Sequence, residues 1–93
     1  MNMTWVVKRT DTFLNSLKDI RKNKGALAEL DTKLNRLRED PLHVGGWLSG
    51  ELHGKKSTRI SRKYRLIFTP DEMEQVVYLN WIDHRKEVYS QHK

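Results

Sequence analysis

KKSTRISRKYRLIFTPDEMEQVVYLNWIDH, residues 55–84, decides the fold. Its apolar residues recur with a period of two. Ser57 to Arg62 alternates around Ile60, and Tyr64, Leu66 and Phe68 alternate with Arg65, Ile67 and Thr69. Pro70 to Glu74 reads as a polar turn, and Gln75 to Asp83 as a strand of Val, Tyr, Leu, Trp and Ile. Runs of β-branched and aromatic residues joined by short polar turns predict neighbouring antiparallel strands.

Upstream the period becomes helical. Thr4 to Lys8 reads as a short first strand, and Thr10 or Asp11 can cap the helix after it. Phe13, Leu14, Leu17 and Ile20 share one face. Lys22 to Gly25 reads as a tight break in which Gly25 ends this helix. Leu27, Leu30, Leu34 and Leu37 mark a second helix from Ala26 to Glu39, which Pro41 stops. The stripe is too short for a free-standing coiled coil and reads as core. Gly45, Gly46, Gly50 and Gly54 then punctuate a loop around Trp47 and Leu48. Arg85 to Gln91 reads as a short terminal helix or a tail. The order predicts one α+β domain over residues 1–93: an N-terminal strand, a helical hairpin, then a three- to four-stranded antiparallel sheet covered by the hairpin on one face.

Strand alternation assigns side chains to the two faces. With Ile60, Leu66 and Phe68 under the helices, Arg59, Ser61, Arg65 and Ile67 point away. In the last strand Val77, Leu79 and Trp81 form the expected core set, and Val76, Tyr78, Asn80, Ile82 and His84 the other. This places His84 beside Arg59 and Arg65 unless a bulge reverses it. Trp5 and Trp81 are expected in the core. Trp47, beside glycines, can cap the helices or meet a partner.

Charge supports a polyanion as partner. The chain carries 18 Lys plus Arg against 12 Asp plus Glu, a formal net charge of +6. Six of the basic residues, Lys55, Lys56, Arg59, Arg62, Lys63 and Arg65, fall in one stretch without an acidic residue. The absence of cysteine excludes disulfides and thiolate zinc sites. No apolar run approaches the roughly 20 residues of a membrane-spanning helix. The N-terminus lacks the apolar stretch of a signal peptide. A cytoplasmic protein is expected.

A basic face with a histidine at its edge suits RNA cleavage. A 2′-hydroxyl attacks the adjacent phosphate and the 5′-oxygen leaves. The reaction needs a base, an acid and positive charge on the phosphorane oxygens. The nucleophile is part of the substrate, so no metal or cofactor is required. Histidine can exchange the protons near neutral pH, and arginine matches phosphate as a permanent cationic fork.

The C-terminal half carries a resemblance. Leu52-His53-Gly54, Thr58-Arg59-Ile60-Ser61, Lys63-Tyr64-Arg65-Leu66-Ile67-Phe68 and His84-Arg85-Lys86-Glu87-Val88-Tyr89 together resemble the RelE/ParE toxin superfamily. The resemblance implies a RelE-like fold and the toxin of a type II toxin–antitoxin system. It further implies cleavage of mRNA in the ribosomal A site, arrest of translation and neutralisation by a cognate acidic antitoxin. By the same resemblance, Arg65 matches the phosphate-binding arginine and Arg59 a substrate-contacting basic residue on the preceding strand. Tyr89 matches a tyrosine that stacks on or orients the scissile nucleotide, and Arg85 a basic residue of the same closing motif. His84 stands where several branches carry an acid–base histidine.

One departure concerns the proton chemistry. Some members carry two basic residues one position apart before Tyr-Arg-Leu, whereas Ser61 takes the second place here. His84, Arg62 or Lys63 can compensate. Lys55, Lys56, Arg62 and Lys63 are candidate contacts to RNA or the ribosome. His53 is a reserve candidate; His43 and His92 have no assigned role. Two other readings share the fold: a ParE-like toxin that inhibits DNA gyrase, and a non-toxic remnant that only binds its antitoxin.

Overall fold

The computed structural model describes residues 4–84. Strand β1 (Val6–Arg9) leads into helix α1 (Asp11–Ile20) and helix α2 (Lys24–Glu39), and strands β2 (Gly46–Trp47), β3 (Lys56–Ile60), β4 (Tyr64–Asp71) and β5 (Val76–His84) follow. Single 3-10 turns, Pro41–His43 and Gly50–Leu52, flank β2. The five strands form one sheet in the order β1-β5-β4-β3-β2. All neighbours are antiparallel except β1, which runs parallel to β5. The fold is α+β, as the alternating and helical periods predict. No described helix is long and apolar enough to cross a membrane.

Local chemistry sets the element boundaries. The Thr10 hydroxyl accepts from the Phe13 amide at 3.1 Å, which caps α1, and donates to the Leu79 carbonyl at 2.6 Å, which ties the cap to β5. The Ser16 hydroxyl accepts from the Ile82 amide at 2.8 Å, so α1 also supplies a partner to β5 beyond the reach of β1. Asn23 caps α2 through a bond from the Ala26 amide at 3.0 Å. This cap corrects the expected role of Gly25: it lies in the first turn of α2 and does not end α1. Asp40 leaves helical geometry (φ −156°, ψ 72°) because the following Pro41 disfavours it there.

The helical stripes meet the sheet. Phe13 and Ile20 of α1 and Leu30, Leu34 and Leu37 of α2 form a single core with Trp5, Ile60, Tyr64, Leu66, Phe68, Val77, Leu79 and Ile82. Leu17 and Leu27 are partly buried against it. Leu14 departs from the expected stripe and is 45% exposed. Gly45 enables β2 to pair with β3. Its φ is +68°, and a Cβ there would lie 2.1 Å from the Ser57 carbonyl oxygen.

An irregularity in β5 overturns the expected faces of its C-terminal end. Phe68 pairs with Leu79 and Ile67 with Trp81, so Asn80 is an extra residue. It is held in place from two directions. The Thr69 hydroxyl donates to its side-chain oxygen at 2.7 Å, and the Thr10 hydroxyl lies 3.1 Å from its carbonyl. Beyond it Ile82, not Trp81, enters the core. Trp81 pairs with Ile67 on the opposite face and is only partly buried.

Candidate nucleic-acid interface

The face away from the helices is built on a cross-strand row. Arg59 of β3 lies directly opposite Arg65 of β4, which lies directly opposite Asp83 of β5. Directly opposed like charges destabilise a sheet, so the arginine pair calls for an anion. Asp83 supplies one: its Oδ2 lies 3.5 Å from Arg65 Nη2, with both side chains about a third exposed (34% and 40%). The contact is single and long. Arg65 Nε is buried and has no hydrogen-bond partner among the described residues. The next row on this face is Ser57, Ile67 and Trp81. Ile67 is buried there, yet lies outside the core cluster.

The β3–β4 turn extends the cationic surface. Arg62 and Lys63 are exposed in it, between the strand ends that carry Arg59 and Arg65. Ser61 belongs to this turn, with φ +54°, and not to the strand face where it was expected. On β3 the open-face position next to Arg59 in the strand alternation is Ser57, opposite Ile67. Lys55 is half-buried just before β3, and its carbonyl accepts from the Leu48 amide at 2.9 Å.

Two expected site residues are placed elsewhere. His84 pairs with Tyr64 on the helix-facing side, because of the extra residue at Asn80, and so does not join the arginine row. Its ring meets the Tyr64 ring edge-on, with centroids 5.0 Å apart. Lys56 is not a turn residue free to touch RNA. It is 1% exposed, on the same face as Ile60. Its ammonium donates to the Leu42 carbonyl at 2.6 Å and the Pro41 carbonyl at 3.3 Å, and lies 4.9 Å from the centre of the Trp47 ring. Burial pushes its pKa below 10.5, partly opposed by Asp40. It is a structural cation that ties β3 to the turn after α2.

Of the remaining candidates, Arg85, Tyr89 and His92 lie outside the described residues. His53 is exposed beside the Gly50–Leu52 turn, and His43 is exposed with Nδ1 2.7 Å from Asp40 Oδ2. Among the described residues no group of three His, Asp or Glu side chains gathers as a metal site. Asp83 is the residue that sequence reasoning missed. Its place beside Arg65 depends on the bulge.

Chemically, the arrangement is a short strip of cations with one built-in carboxylate. Two guanidinium forks on adjacent strands suit successive phosphates of a single strand. Trp81 and Tyr78 stand on the same face, as the partners of Ile67 and Thr69.

A family model described as the ParE toxin of type II toxin–antitoxin systems, parDE, matches residues 7–89. No curated protein matches the chain by sequence. The chain is 30% identical to a chain of the RelBE2 toxin–antitoxin complex from Mycobacterium tuberculosis, with a TM-score of 0.71, over 88% of this chain and 99% of that one. A free-state mutant of the Escherichia coli toxin RelE, with two arginines replaced by alanine, is similar at 24% identity and a TM-score of 0.68, over 95% and 93% of the two chains. Escherichia coli YafQ shares the fold at 11% identity, with a TM-score of 0.73 over 91% and 98%.

Proposed function

Since this chain belongs to the ParE toxin family of type II toxin–antitoxin systems, we propose that it arrests translation as an endoribonuclease that cuts mRNA in the ribosomal A site. The observation that carries the reading is the direct opposition of Arg59 and Arg65 on the face that the helices leave free. In this reading the two arginines hold the scissile phosphate and its neighbour. The 2′-oxygen bonds to phosphorus as its proton leaves to a base. The bond from phosphorus to the 5′-oxygen breaks, and that oxygen takes a proton. The products are a 2′,3′-cyclic phosphate and a 5′-hydroxyl. Arg65 and Arg59 balance the charge that develops on the phosphorane. Arg62, Lys63 and Lys55 guide flanking phosphates or ribosomal RNA, and Tyr89 and Arg85 complete the site as the family resemblance implies. His84 faces Tyr64, so the reading routes no proton through it. A cognate acidic antitoxin neutralises the toxin in the cytoplasm.

The test is expression without antitoxin, with transcript ends mapped by primer extension. New ends inside codons, absent with Arg65→Ala, are expected. Intact transcripts during a full translation arrest would refute the reading. The match to the ParE family model favours a second reading, inhibition of DNA gyrase without RNA cleavage. A supercoiling assay with purified gyrase separates the two, because a ribonuclease leaves supercoiling unchanged.

A further inference from the structure

We infer that Asp83 is an internal competitor for the anion site: its carboxylate holds Arg65 until an RNA phosphate displaces it. The inference rests on the reading of Arg59 and Arg65 as phosphate ligands. It extends that reading by naming a residue that sets RNA affinity by opposing it.

The geometry gives the sign. Arg59, Arg65 and Asp83 form one register row across three strands, so all three project from the same face. Asp83 touches Arg65 through one oxygen at 3.5 Å, beyond the distance of a short charge-assisted bond. A carboxylate that oriented the guanidinium would use two parallel bonds, and here Nε has no partner among the described residues. Asp83 therefore screens Arg65 without locking it. Both groups are partly solvated, so the pair itself is weak and can open. A phosphate that takes the fork gains Arg65, loses nothing rigid, and is left beside a negative charge.

That residual repulsion sets the size of the effect. A carboxylate about 6 Å from a phosphate, in surroundings near the polarity of water, lowers affinity about three- to tenfold. Removing it also raises the number of effectively neutralised phosphates by up to one. The salt dependence of single-strand binding then steepens by up to about 0.7 in logarithmic slope.

The experiment measures binding of the free toxin to a short fluorescein-labelled single-stranded RNA by anisotropy, across about 50 to 200 mM salt. The oligonucleotide carries 2′-O-methyl groups so that it is not cut. Asp83→Asn is expected to bind three to ten times more tightly than wild type, with a steeper salt slope. In the Arg65→Ala background the same substitution should give less than half that gain on a logarithmic scale, since Arg65 no longer draws the phosphate to the carboxylate. Weaker binding by Asp83→Asn would make Asp83 a residue that positions Arg65. Unchanged affinity would make it an ordinary surface charge. Either result overturns the inference. If Arg65→Ala and Arg59→Ala bind RNA as well as wild type, the phosphate-site reading fails first, and the two failures are distinct. Thermal melts of each variant verify that the fold is retained.

Discussion

Lys56 is the buried charge on which the packing after α2 depends, and replacing it should be costly. Its side chain is 1% exposed, so Lys56→Ala removes a packed aliphatic stem together with the ammonium. Loss of about three buried methylenes costs about 2 kcal/mol. The ammonium bonds to Leu42 and Pro41 contribute about 1.5–3 kcal/mol, and both carbonyls lose their charged donor. Release of the Trp47 ring adds about 0.5 kcal/mol. The sum, about 4–5.5 kcal/mol, is a large part of the roughly 5–14 kcal/mol expected for a domain of this length. Urea unfolding followed by circular dichroism measures it. Lys56→Met keeps most of the stem and isolates the polar part, at about 1–3 kcal/mol. The pH dependence gives a separate check. Burial lowers the folded-state pKa below 10.5, so between the two values the unfolded chain binds more protons. The contribution of this site to stability therefore rises with pH across that window, and the charged form carries its full burial cost below it. Wild type should gain stability relative to Lys56→Met as the pH climbs toward 10.5. A Lys56→Ala protein within about 1 kcal/mol of wild type would refute the reasoning, because it would mean a solvated ammonium on an unpacked stem.

Four further outcomes follow from the packing. Thr10→Ala removes both the cap on α1 and the bond to the Leu79 carbonyl, and should cost about 2 kcal/mol in urea unfolding, while Thr10→Ser retains most of it. Gly45→Ala should cost about 3–5 kcal/mol, since its Cβ would meet the Ser57 carbonyl at 2.1 Å, and hydrogen exchange should report loss of the β2–β3 pairing. Gly54→Ala, with φ +91° but nothing within 4 Å, should cost only about 1–2 kcal/mol by the same melt. Phe68→Ala empties the centre of the core and should cost about 3–5 kcal/mol, measured as a lower urea midpoint with an unchanged slope.

The two helices and strands β3 and β4 were legible because their signals are local. Leu30, Leu34 and Leu37 repeat on one face, and Ile60, Leu66 and Phe68 alternate with arginines. The parallel pairing of β1 with β5 was not legible, because Val6 and Val76 are joined by tertiary contact and no local pattern names the partner. Strand β2 has only two residues and rests on the conformation of Gly45. Lys56 carried a readable signal that was outweighed: it alternates with Thr58 and Ile60, yet a lysine is almost never fully buried.

The site depends most on Asn80. A strict period of two from Val77 puts Trp81 in the core and His84 among the arginines. One extra residue, fixed by the hydroxyls of Thr10 and Thr69, shifts everything after it to the other face. Ile82 then fills the core, and His84 turns to Tyr64. The same shift brings Asp83 to Arg65, so the irregularity that takes a histidine out of the basic row puts a carboxylate into it. If Arg59 and Arg65 hold phosphate as proposed, the anion affinity of this face reflects a backbone bulge as much as its count of basic residues. A charge total of the chain cannot register that, because Asp83 lowers it by one wherever it points, whereas its effect on a bound phosphate requires the row in which the bulge places it.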